Sequence, residues 1–421
     1  MGNFDGVIGY ESIKAELIKF ADVIKDNGKY SRLGVSIPSG IILYGPPGVG
    51  KTLMAKSFIA EAGCRIFTIR KDRPNGEFVK HIKDTFDEAK KNTPSIVFLD
   101  DMDKFANEDE EHKNAEEYIA VQSGIDDCKG MGVFALATVN DMRCLPDSLM
   151  RCGRFDKNIE VDSPRGEDGM EIIKHYLDQK RISENVDIEE LALIMEGNSC
   201  AVIEAVINDA GVYAGFNNKE FIEQDDLIKA FLRMRFDVPE KMSRENRANI
   251  RSVAIHEAGH AVVAEVLDPG SVALASVQVR DLLFSEGVVI THKSDDYYYS
   301  KTLQEHEVMI ALGGKAATEV VLGSADMGSV HDIEKALGMI NTFIDCDFTT
   351  GFSAFVRSNT TSEMMRSSLD RQIATDAERY YQETKRIIVE HRNFYEAVLN
   401  ALLENETITY RDMQRMRKEY F

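Results

Sequence analysis

No stretch of this sequence approaches the roughly 18 to 20 apolar residues needed to cross a bilayer, and its opening, MGNFDGVIGY, lacks the apolar core of a signal peptide. The opening does not fit the myristoylation pattern either, since Gly6 stands where Ser or Thr is required. The six cysteines, Cys64, Cys128, Cys144, Cys152, Cys200 and Cys346, form no CxxC pair. A thiolate zinc site and a disulfide framework are therefore not indicated, and a reducing, cytoplasmic setting is expected. Positive charge is also scarce. Against 71 Asp and Glu stand 50 Lys and Arg, a formal net charge of −21, which argues against nucleic acid or anionic lipid as partners. Protein substrates or small molecules fit better.

The 421 residues are 43% apolar and 29% charged, the balance of a folded globular chain, and they are too many for one hydrophobic core. Two or three domains are expected. From residue 4 to about 161, buried runs alternate with helical stretches: IILY (41–44), SIVFLD (95–100) and GVFALATVN (132–140). That alternation predicts a parallel, doubly wound α/β sheet. Residues 165–236 repeat apolar positions at helical spacing only and predict a small helical domain. The polar, Pro-containing stretch DVPEKMSRENR (237–247) reads as a linker. The remainder is mainly helical, with one β-rich patch at 271–292, in which SVQVR and GVVITH are the expected strands, and long amphipathic helices over 369–403. The boundaries so read are 1–163, 164–236, 237–247 and 248–421.

GPPGVGKT (45–52) follows one of those buried strands and opens a helical run, LMAKSFIAEA, which is the context a phosphate-binding loop needs. Gly45, Gly48 and Gly50 let the backbone curl so that its N–H groups face phosphate, and the helix N-terminus adds its dipole. Pro46, Pro47, Val49 and Leu53 complete the segment expected to bind ATP. Lys51 is expected to hold the β and γ phosphates, Thr52 to ligate Mg2+, and Asp100 to hold the same ion through its outer sphere. Asn140 ends the next buried strand, where it can orient the attacking water. MRCGRFD (150–156) supplies Arg151 and Arg154, a pair suited to a neighbour's γ-phosphate, which requires a head-to-tail ring.

AIHEAGHAVVAEV (254–266) sets His256 and His260 four residues apart on an apolar helix, so both imidazoles share one face at a separation one zinc ion accepts. Glu257, beside the first, is placed to act as base toward water that zinc has acidified to a pKa of about 7. A catalytic zinc wants a third protein ligand. The further His of the HExxHxxGxxH pattern is missing, its place being taken by residues such as Val263 and Val266, and His292 lies too far along. Asp332, Glu319, Glu286 and His331 remain as candidates, and spacing alone does not choose among them.

With the phosphate loop, SIVFLDD, RCGRFD, HEAGH and GSVHDIEKA in this order, the chain resembles the FtsH family of AAA+ zinc metalloproteases over nearly its whole length. The resemblance implies an α/β ATPase core with a helical lid, followed by a mainly α zinc metallopeptidase domain. It implies homo-hexameric rings that cleave unfolded or loosely folded proteins, with ATP, Mg2+ and Zn2+ as cofactors. It also selects Asp332, in GSVHDIEKA (328–336), as the third zinc ligand, and leaves Glu319 a supporting carboxylate. Four departures stand out. The family's N-terminal membrane segment has no counterpart, so a membrane tether belongs only outside these residues. Where the family has an aromatic, glycine-containing pore loop, this sequence has RKDRPNGEFVK (70–80), shorter and charged. Its one aromatic, Phe78, is either a displaced pore residue or a helix anchor. Asp101 stands where the family presents Glu as the water-polarising residue, and a displacement of about 1 Å costs on the order of a hundredfold in rate. DDC (126–128) replaces the subunit-signalling DGF. Two rival readings follow: a peptidase whose ATPase only assembles and gates the ring, and a protein remodeller whose metal site is not catalytic.

Overall fold

The computed structural model describes residues 2–34, 38–72, 74–107, 115–238, 244–278, 287–292, 300–324, 329–345 and 363–421. Two compact units form: Met1–Arg181 with Met195–Asn208, and Ile182–Ile194 with Asp209–Phe421. The expected lid segment, 164–236, contributes helices to both.

The first unit is built on five parallel strands, β1 (Gly40–Tyr44), β2 (Arg65–Ile69), β3 (Ser95–Leu99), β4 (Val133–Val139) and β5 (Lys157–Glu160), in the order β2-β3-β4-β1-β5. The three central strands are the three buried runs of the sequence, and helices cover them. The two edges, β2 and β5, did not stand out in the sequence because most of their residues stay partly exposed, so neither reads as a continuous apolar run. Beneath the sheet, Phe78, Phe86, Phe105 and Phe155 join Ile82 and Ala120 in the core. Because the strands run parallel, the segments following β1, β3 and β4 all emerge at one end of the sheet, the crevice where α/β proteins bind ligands.

In the second unit the helix Arg244–Leu267 is the hub, packed against Lys301–Leu322 and Arg392–Asn405. Its crossing with Lys301–Leu322 is tight. A side chain on Gly259 would strike the backbone of Gly313, and one on Gly313 would come within 2.8 Å of the Gly259 carbonyl oxygen. The Tyr395 hydroxyl, fully buried, donates to the Ile255 carbonyl at 2.9 Å and fixes the hub helix from the other side. A small antiparallel sheet, β7-β6-β8, completes the unit: β6 (Val272–Ser276), β7 (Val288–Thr291) and β8 (Thr407–Thr409). The strand expected at SVQVR (276–280) is displaced: β6 ends at Ser276, and the five residues VALAS, all buried, form it instead. Residues 279 and 280 lie outside the described residues. No helix among the described residues is long and apolar enough to cross a membrane.

Candidate functional site

At the crevice of the first unit the phosphate loop curls as its glycines require. Gly45, Gly48 and Gly50 have φ of 145°, 82° and 97°, a region closed to most side chains. A Cβ at Gly48 would also come 2.9 Å from Ala201 and Ser199, which close over the loop. Val49 is buried, whereas Leu53, on the first turn of the helix Lys51–Ala62, is exposed. Pro46 is half-buried and Pro47 exposed. The Lys51 ammonium donates to the carbonyls of Gly45 at 2.7 Å and Pro46 at 2.8 Å and to Asn140 Oδ1 at 2.9 Å. Burial pulls the pKa of Lys51 below the usual lysine value, against the opposing charges of Asp103 and Asp101.

Asp100 is buried at the end of β3 and accepts from Thr52 at 3.3 Å and from Thr138 at 2.9 Å. Asp101 takes the left-handed conformation, φ 53°, secured by its N–H on the Thr138 hydroxyl at 2.9 Å, and its carboxylate reaches outward to Lys104 at 2.6 Å. Thr138 and Asp103 are absent from the sequence reading, although both sit two residues from a residue it names. Asp103 Oδ2 accepts from Asn140 at 3.3 Å. Arg151 is exposed. Arg154 instead lies against Asp126 of the same chain, Nε on Oδ1 at 3.0 Å and NH2 on Oδ2 at 2.7 Å, with NH1 on the Ser148 carbonyl. This fork holds the Asp126 pKa down at about 2. Phe78 is fully buried and meets Phe105 edge-on at 5.1 Å, the position of a helix anchor.

In the second unit the helix Arg244–Leu267 carries His256, Glu257 and His260, and the first turn of the helix Val330–Asp345 brings up Asp332. His256 Nε2 lies 3.0 Å from Asp332 Oδ2 and 3.0 Å from His260 Nε2, and His260 Nε2 lies 3.4 Å from the same carboxylate oxygen. A tetrahedral zinc with bonds of about 2.0–2.1 Å spaces its ligand atoms by about 3.3 Å, so the three atoms match the edges of such a site. His260 Nδ1 meets the Ile310 carbonyl at 2.7 Å. Since a carbonyl only accepts, that nitrogen carries the proton and the lone pair of Nε2 faces the centre, as ligation requires. Burial works against charge on His260, but the bond to Asp332 and the charge of Glu257 prevail and raise its pKa. At Asp332 burial is likewise outweighed, by its close contacts with His256 and His260, and its pKa is held far below the usual carboxylate range.

Glu257 is 6% exposed, and burial pushes its pKa up, opposed by His260 and His256. Two glycines make room for the cluster. A side chain on Gly314 would sit on the His256 ring, and one on Gly287, just before β7, would come 2.5 Å from Glu257 Oε1. Among the described residues His256, His260 and Asp332 are the one group of three whose ligand atoms converge, all within 4.8 Å of one another. Glu319 is engaged elsewhere, accepting from Tyr381 and from Lys385 at 2.9 Å, His331 is exposed, and His292 meets the Gly270 carbonyl at 2.6 Å. Glu286 lies outside the described residues.

Residues 41–163 match the family described as ATPase family associated with various cellular activities (AAA), and residues 241–416 match peptidase family M41. A Symbiobacterium thermophilum protein named ATP-dependent zinc metalloprotease FtsH 3 is 30% identical over 451 residues, spanning 99% of this chain and 71% of its own. The ATP-dependent zinc metalloprotease FtsH of Caldicellulosiruptor bescii is 30% identical, covering 98% and 71%. That of Helicobacter felis is 29% identical, covering 99% and 70%.

Proposed function

Because this chain belongs to the FtsH family of ATP-dependent zinc metalloproteases, we propose that it hydrolyses peptide bonds of unfolded or loosely folded proteins with His256, His260 and Asp332 as zinc ligands and Glu257 as base. The convergence of those three ligand atoms beside a buried carboxylate carries the reading. Bound there, zinc would supply Lewis acidity toward the scissile carbonyl and toward water. The protein's own part is to hold Glu257 close to the reacting atoms in a dry site, with its raised pKa suiting it to take up a proton. The strand β7, which follows Gly287, is an edge of its sheet, and an extended substrate pairing with that edge would pass beside Glu257.

ATP and Mg2+ are assigned to residues 45–53, with Lys51 on the phosphates and Thr52 and Asp100 on the metal. Asp101 and Asn140 serve the attacking water. The division into ATPase core (1–163), lid (164–236), linker (237–247) and peptidase (248–421) is the functional one we propose, with the last four linker residues already forming the start of the hub helix. Proteins of this kind work as oligomers on protein substrates, and a homo-hexamer is the assembly we propose, with the exposed Arg151 and, once it leaves Asp126, Arg154 serving the adjoining subunit's ATP. The free cysteines suit a cytosolic location. With ATP and magnesium at micromolar protein concentration, mass photometry is expected to show rings. Arg154→Ala is expected to lower ATP turnover with nucleotide binding largely intact. A monomer under those conditions would rule the ring out.

The burial of Phe78 favours a weak grip on substrate. Among the described residues of 70–80 no aromatic ring is exposed, whereas a translocating loop holds a passing chain through large apolar contact. Unstructured protein is therefore expected to be degraded readily and a stably folded, tagged domain slowly. Asp101→Glu should raise ATP turnover without speeding the folded substrate. Both rates are measured against ATP consumed, and equal ATP-dependent rates for the two substrates would overturn the weak-grip reading.

A further inference from the structure

We propose that Asp103 is a positioning residue for ATP hydrolysis: together with Lys51 it locks the carboxamide of Asn140 in one orientation. The inference rests on the reading of Asn140 given above and deepens it.

A carboxamide has a donor end and an acceptor end of nearly equal shape, so a neighbour that both donates and accepts would leave it free to flip. Neither neighbour of Asn140 is of that kind. The Lys51 ammonium can only donate, and it takes Oδ1 at 2.9 Å. The Asp103 carboxylate, when ionised, can only accept, and it takes Nδ2 at 3.3 Å. Turning the amide over would set donor against donor and acceptor against acceptor. The opposite charges at its two ends also align with its dipole.

Asp103 is itself held in place. It lies in the 3-10 turn Met102–Lys104, which Asp101 enters from the left-handed region with its N–H on Thr138, and the Asp103 carbonyl accepts from Asn107 at 2.9 Å. Its second oxygen, Oδ1, is buried without a hydrogen-bond partner among the described residues. An unmet buried acceptor costs free energy, so the bond of Oδ2 to Asn140 is what this carboxylate supplies here. The neighbouring Asp101 turns its carboxylate outward to Lys104, whose side chain is 61% exposed, so Asp103 is the carboxylate of this turn that engages Asn140.

The test measures steady-state ATP hydrolysis by the full chain, with binding of a fluorescent ATP analogue measured separately, for Asp103→Asn, Asp103→Glu, Asn140→Ala and the double variant Asp103→Asn with Asn140→Ala. Asp103→Asn, which is isosteric, is expected to lower kcat roughly 10- to 100-fold with KM and analogue affinity within about threefold, since the phosphate loop is untouched. Asp103→Glu should fall between it and the parent. The double variant should be no slower than the slower single, because both changes remove one function. Parental kcat in Asp103→Asn, or a double variant slowed by the product of the two single effects, would overturn the proposal while leaving Asn140 in its role. Loss of analogue binding in both Asp103 variants would make the residue merely structural and overturn it too. Parental turnover in Asn140→Ala would instead sink the reading on which it rests.

Discussion

Glu257→Gln is expected to slow cleavage of an unfolded protein such as casein by at least about a thousandfold while each chain keeps its zinc. The size of the effect follows from what is removed. A positioned general base contributes roughly 10²- to 10⁴-fold, and Glu257 is the one residue proposed for that role. Gln has the volume of Glu, so it fits the space against Gly287 without moving the hub helix. His256, His260 and Asp332 are unchanged, hence the expected metal content. Cleavage of labelled casein and zinc by mass spectrometry are the two readouts. Near-parental cleavage with zinc in place would assign the base elsewhere.

Lys51→Ala is expected to reduce ATP turnover at least about a hundredfold and to bring degradation of folded substrates to background. The ammonium is buried among two carbonyls and Asn140, so its loss removes charge-assisted bonds to phosphate and also frees one end of the Asn140 amide. The peptidase cluster lies in the other unit and is untouched. Hydrolysis of a short fluorogenic peptide, which needs no unfolding, should therefore continue. Measuring ATP, folded-substrate and short-peptide hydrolysis on one preparation separates the two activities, and unimpaired destruction of the folded substrate would show that ATP is not what drives it.

Much of this was legible in the sequence because the chemistry is local. The phosphate loop announces itself within eight residues, between a buried strand and a helix, and the two histidines and Glu257 lie within five. What was not legible depends on partners distant along the chain. The bond between Arg154 and Asp126 joins residues 28 apart, and that between Asn140 and Asp103 joins residues 37 apart. Neither spacing carries a pattern. Asp332 stands 76 residues beyond His256, which is why the residues alone left several ligand candidates and the family resemblance had to choose. The edge strands β2 and β5 escaped because half-exposed edges lose the apolar run that marks a central strand. The strand β6 was displaced because VALAS, Ala-rich, weighs less by β propensity than the Val-Gln-Val that follows it.

The position of β6 governs the order in which the peptidase unit can be completed during synthesis. One neighbour, β7, follows after a short interval, but the other, β8, belongs to a segment about 130 residues further on, where Ser276 meets the Glu406 carbonyl. Until that segment has left the ribosome, a strand buried along its whole length in the finished fold has one side open, with its backbone N–H and C=O groups on that side unpaired. Such a strand is a template for pairing with another chain, and contacts this distant along the chain close slowly. The emerging polypeptide thus passes through an interval in which the most buried strand of the second unit is open along one edge, and rescue by a holding chaperone would matter most in that interval.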